Sequence, residues 1–154
     1  MYRDGRRMEP YKNYKFVVKM DGKPIPGITK VSPLKRATEV ITWNEAGRND
    51  RDLKTPGRTS YGEFIMERGL TDDRVFEEWA LLVAPVEDTS RGLVEFKKDL
   101  QLEIRDEENR SILLFNLYGC WVSEYIIPEF DASADEIAIE RITVQVDAWE
   151  RVDF

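Results

Sequence analysis

Residues 56–79 read PGRTSYGEFIMERGLTDDRVFEEW. Two patterns of different period meet in this stretch. Over 61–68, YGEFIMER, side chains alternate as they do along a strand. Glu63, Ile65 and Glu67 share one face, and Phe64, Met66 and Arg68 the other. Over 72–83 the period becomes that of a helix, with Val75, Phe76, Trp79, Leu82 and Val83 on one side. Thr71 or Asp72 supplies a cap, Asp73 complements the helix dipole, and Pro85 stops the run. The apolar stripe reads as a packing face.

On the N-terminal side, YKFVVKM at 14–20 reads as a strand and DGKP at 21–24 as a turn. Residues 25–32 continue as a second strand. Pro26 and Gly27 suit an edge or a bulge there, because proline cannot donate to a ladder. RATEVITW at 36–43 is β-rich. Residues 44–60 form one polar stretch of 17 residues, longer than a usual connection, and read as a functional or disordered loop. Residues 1–13 are Arg-rich and read as a flexible arm, which leaves 14–154 as a single domain.

On the C-terminal side, 93–106 and 111–118 read as a hairpin turning at EEN, 107–109, with Leu100, Leu102 and Ile104 alternating. Residues 126–135 read as a loop. EIAIERITVQVDAW at 136–149 reads as the longest strand. Ile137 and Ile139 hold one phase; Ile142, Val144, Val146 and Ala148 hold the other. The slip at Glu140–Arg141 is what a β-bulge would produce. About seven strands and one helix make a mainly β protein, a β-sandwich or barrel with a single α-helix at about 72–83.

Composition excludes several chemistries. The chain has 154 residues, 42% hydrophobic and 34% charged, which suits one folded domain. It has no histidine, which excludes Ser-His-Asp and Cys-His nucleophile systems and His-ligated metals. Its one cysteine, Cys120, excludes an internal disulfide and reads as a small buried apolar residue. No stretch resembles a secretory signal or approaches the ~20 apolar residues of a spanning helix, so synthesis in the cytosol without stable membrane insertion is expected.

Net charge is −7, unevenly spread. Residues 1–70 carry 15 Lys/Arg against 9 Asp/Glu, and residues 71–154 carry 8 against 21. If the halves formed separate surfaces, copies would attract head to tail. The simpler reading interleaves both halves in one domain.

The carboxylates have plain explanations. Asp72 and Asp73 sit at a helix start, and Asp106, Glu107 and Glu108 in a turn. NDRD at 49–52 lacks the spaced ligands and closing Glu of a calcium loop. PGRTS at 56–60 lacks the spacing of a phosphate-cradling loop. Lys12, Tyr14, Lys15, Phe16 and Lys19 interleave basic and aromatic residues as a single-strand-binding β-barrel would, but no basic excess accompanies them. No catalytic, metal or cofactor site emerges, and the profile fits an assembly component better than an enzyme.

The 56–79 stretch resembles the tail tube proteins of contractile-tailed phages and of related contractile injection systems, tailocins among them. The matching residues are Pro56, Gly57, Arg58, Tyr61, Gly62, Phe64, Met66, Arg68, Gly69, Thr71, Asp72, Asp73 and Trp79. The opening hairpin, Gly27–Ser32, the Thr38–Val40 segment, the 99–117 hairpin and the DEIAIERITVQVDAWE strand occur in the family's order, so the resemblance covers 14 to about 150. The chain departs from the family pattern at Ser60, at Gly119–Cys120–Trp121 and at Val122.

The resemblance implies a structural, non-enzymatic subunit that forms hexameric rings. The rings would stack into a hollow tube, which sheath contraction drives through a target envelope while DNA or protein cargo passes inside. Implied partners are further copies of the chain, the sheath, the baseplate and spike, the tape-measure and the tube terminator. Assembly would occur in the cytoplasm of the producing bacterium. Trp43, Asn44, Glu45, Arg48, Asn49, Asp50, Arg51, Asp52 and Arg58 are the expected contacts between subunits or rings. Phe64, Met66 and Arg68 would face the domain body, and Glu63, Ile65 and Glu67 an acidic lumen. A type VI secretion ring protein or a baseplate tube initiator shares this class.

Overall fold

A computed structural model describes residues 2–3, 6–7, 15–44, 51–84 and 96–153. Twelve strands and one helix are found among them. In the expected N-terminal arm, Tyr2–Arg3 (β1) and Arg6–Arg7 (β2) form a short antiparallel ladder. Pro85, the expected loop at 86–92, and Lys12 and Tyr14 lie outside the described residues.

Two sheets share one strand. Lys15–Met20 (β3) turns at Asp21–Gly22, both at positive φ, into the edge strand Lys23–Pro24 (β4). Lys98–Arg105 (β9) pairs with β3 and with Ser111–Ile126 (β10). The N-terminal half of β10 also pairs with Ala148–Val152 (β12). The first sheet therefore runs β4-β3-β9-β10-β12. The C-terminal half of β10 pairs with Ile139–Gln145 (β11), which pairs with Phe64–Gly69 (β8), which pairs with Ile28–Val31 (β5). Between the halves β10 bends at Gly119, at φ 63, where its register with β9 shifts.

The core lies between these sheets. Val18, Leu100, Leu102 and Leu117 come from the first, and Phe64, Met66, Val122, Ile142 and Val144 from the second. Cys120 is buried at the junction, and burial first, then the charges of Asp99 and Asp147, push its thiol up to about 12. The helix Val75–Leu81 (α1) closes the core with Phe76 and Trp79. Burying side chains of this size contributes roughly 1.5–3 kcal/mol each.

Four sequence expectations are corrected. The helix is shorter than 72–83. It starts after Arg74, and the Asp73 carboxylate accepts the Val75 N–H, so neither Thr71 nor Asp72 occupies the cap. Val83 is exposed. The second part of the 44–60 loop is a strand, because Leu53–Tyr61 (β7) pairs with Arg36–Trp43 (β6) in a hairpin. It reads as a loop because its side chains are polar, and they are polar because this ladder stands in solvent.

The longest strand is β10, not 136–149, which splits at Val146–Asp147 into β11 and β12. No bulge falls at Glu140–Arg141: the β11–β8 register runs unbroken from Ile139↔Gly69 to Val144↔Phe64. The inward phase passes through Glu140, which is 1% exposed, while Ile137 lies in the preceding loop at 81%.

Candidate assembly surfaces

Every residue of β6 is exposed. Val40, Ile41 and Trp43 keep large apolar surface in water on a hairpin that contributes no core residue. The root is fixed by Trp149 of β12. Its indole N–H donates to the Lys35 carbonyl at 3.0 Å, its ring meets Tyr61 and Phe115 edge-on, and the Arg36 guanidinium lies 5.8 Å from its centre. The hairpin is thus anchored at one end and bare along its length.

Trp43, Asn44, Arg51 and Asp52 gather at its tip, since Trp43 pairs with Leu53. Arg58 sits further down β7. Glu45, Arg48, Asn49 and Asp50 lie outside the described residues. The sequence offered no sign that Val40 and Ile41 would be exposed. A β-branched pair in a strand ordinarily marks a packed face, and only the absence of a covering layer distinguishes this one.

On β8, Phe64, Met66 and Arg68 are buried, and Ile65, Glu67 and the preceding Glu63 occupy the other side. Glu67 is paired across the ladder with Arg141, which donates from Nε at 2.9 Å and Nη2 at 2.6 Å. This face is therefore of mixed charge and not simply acidic.

Behind it lies a buried polar network. Arg68 Nε donates to Glu140 Oε1 at 2.5 Å, Nη2 to the Asp73 carbonyl at 2.7 Å, and Nη1 to the Pro26 carbonyl and Asp73 Oδ2, both at 3.3 Å. The guanidinium lies 4.4 Å from the centre of the Phe76 ring. Tyr125 donates to Glu140 Oε2 at 2.7 Å, and burial together with that bond raises its phenol above the usual range. Glu140 was missed from sequence because an acid in the core phase reads as a break in the phase.

A second set of exposed apolar residues lies in the β10–β11 connection, where Phe130 and Ile137 line an open groove of about 530 Å³ and Ile127 is exposed close by in sequence. No group of three or more potential metal ligands occurs among the described residues. No described helix is long and apolar enough to cross a membrane.

Residues 12–150 match the family model described as T4-like virus tail tube protein gp19. Among curated proteins, none matches the sequence significantly. Among solved structures, a chain of the anti-feeding prophage cap (AFP tube terminating cap) aligns at 23% identity with TM-score 0.78, over 99% of this chain and 97% of that one. A chain of the PVC extracellular contractile injection system, sheath-tube complex in the extended state, aligns at 20% and 0.77, over 96% and 94%. Hcp1 from Flavobacterium johnsoniae aligns at 17% and 0.57, over 88% and 93%.

Proposed function

From the premise that this chain belongs to the T4-like virus tail tube protein gp19 family, we propose that it forms hexameric rings that stack into the inner tube of a contractile tail or injection particle. The observation that carries this reading is the β6–β7 hairpin. A monomer has no use for a two-sided ladder that holds Val40, Ile41 and Trp43 in water, whereas a neighbouring subunit covers them. Open strand edges favour the same reading. β5 and β12 end their sheets, and pairing across subunits would remove those edges.

In such a tube, the β8 face with Glu63, Ile65 and Glu67 lines the bore. The Glu67–Arg141 pair makes its wall a mixed lattice of charge that offers a polyanion or a folded cargo little to adhere to. The tube supplies stiffness and a channel, the sheath supplies work by contracting, and no catalytic step is needed. Assembly takes place in the cytoplasm of the producing cell.

The test is negative-stain electron microscopy, with solution mass, of the purified chain and of the chain co-expressed with its sheath and baseplate proteins. Six-fold rings or tubes with a central bore are expected. A monomer under both conditions overturns the reading.

A further inference from the structure

We propose that the acidic segment 127–138 is the docking surface for the β6–β7 hairpin of a second copy of this chain. The inference rests on the tube reading and names the partner surface for the hairpin.

Three observations carry it. The first is apolar surface. Phe130 is 70% exposed and Ile137 81%, and both line the open groove. The hairpin presents Ile41 and Trp43 on one face and Val40 on the other, all of them exposed. Each set lacks a partner of the kind the other offers, and an aromatic anchor entering a preformed groove is the usual centre of a tight contact.

The second is charge. Segment 127–138 contains Glu129, Asp131, Asp135 and Glu136 and no lysine or arginine. Strand β7 carries Lys54 and Arg58 and no acid, with Arg51 just before it, while the hairpin as a whole, 36–61, carries five Lys/Arg against four Asp/Glu. Apolar contact then gives affinity, and complementary charge gives partner choice and register.

The third is placement. The hairpin enters the body beside the Phe64↔Val144 end of the β8–β11 ladder. Segment 127–138 adjoins the Ile139↔Gly69 end, where the Leu70 N–H donates to the Ala138 carbonyl at 2.8 Å. Those ends are roughly 17 Å apart, five steps along a strand. Both patches are open in the single chain, so neither covers the other. Unlike patches at opposite ends make a head-to-tail contact, which repeats from copy to copy and closes into rings or extends into a stack.

The experiment uses two charge-reversed forms of the full chain, each co-expressed with its sheath and baseplate proteins. One carries Arg51→Glu, Lys54→Glu and Arg58→Glu; the other carries Glu129→Lys, Asp135→Lys and Glu136→Lys. All six positions are exposed, and unchanged far-ultraviolet circular dichroism, with melting compared at dilute concentrations where wild type is monomeric, confirms that each variant folds. Sedimentable rings and tubes are scored by electron microscopy. Each variant alone is expected to assemble at least about tenfold less than wild type, since like charges then face each other. Both variants expressed together are expected to recover assembly, because each hairpin then meets a groove of opposite charge on the other variant. Variants that assemble like wild type overturn the docking surface and leave the tube reading standing. Loss without recovery in the mixture overturns it too, since the charges then act elsewhere. A wild type that forms no rings or tubes overturns both.

Discussion

One guanidinium, at Arg68, ties β8 to the Pro26 turn, to the approach to α1 at Asp73 and, through Glu140, to β11 and Tyr125. Its stake in the fold lies in what remains if it goes. Arg68→Met strands Glu140 in the core and is expected to cost about 3–5 kcal/mol in urea unfolding of the purified chain. The double variant Arg68→Met/Glu140→Leu is expected to recover much of that loss, which a double-mutant cycle measures. Arg68→Lys is not conservative here, since one ammonium cannot supply the fork. Glu103 offers a different readout. Hydrogen bonds from Ser111, Lys19 and Arg105 hold its carboxyl at about 2, against an ordinary 4.5. Because the folded value is the lower one, the stabilisation is complete above pH 4.5 and is lost as pH falls towards 2. Wild type is expected to lose about 1–2 kcal/mol across that window, and Glu103→Gln to lose less, as seen in thermal melts at stepped pH. The alternation of Phe64, Met66 and Arg68 was plain in the sequence. The partner of Arg68 was not, because which acid enters a core depends on a contact 72 residues away.

At the scale of elements, the strand bodies were legible and their ends and breaks were not. β3, β6, β8 and β9 carry period-2 patterns or β-branched runs that announce them. β7 has Pro56, Gly57 and polar side chains, each a sign against a strand. It pairs nonetheless because β6 lies beside it and no packed face is required of either. The bend in β10 also has a local cause. Gly119 has φ 63, its N–H donates to Asp99 at 3.0 Å, and a β-carbon there would run into the Asp147 side chain. Gly119→Ala is expected to cost about 1–2 kcal/mol in chemical unfolding, from left-handed backbone strain and the displacement of Asp147. Asp147 also pairs with Lys97 at 2.9 Å, so Lys97→Ala, which frees that side chain to turn away, is expected to make the glycine substitution less costly.

For the whole molecule, both halves of the chain interleave in the sheets, β3 with β9 and β8 with β11, and only part of the charge asymmetry is set apart, in the four acids and no base of segment 127–138. Nothing in one dimension could show which charged residues stay apart, since that depends on which segments project from the body. If association covers the hairpin, folding and assembly are linked by mass action. The melting temperature of wild type is expected to rise by several degrees across a hundredfold range of protein concentration. That of Trp43→Asp, which spares the core, is expected to stay constant, as differential scanning calorimetry would record. β10 has a consequence of another kind. It runs 16 residues as a single strand and belongs to both sheets. A load along it passes from one sheet to the other through covalent bonds, and its ladder hydrogen bonds, lying across the strand, resist together in shear instead of opening singly like a zip. In a tube of the kind proposed, pushed end-on, the bent strand would be a tendon as well as a wall.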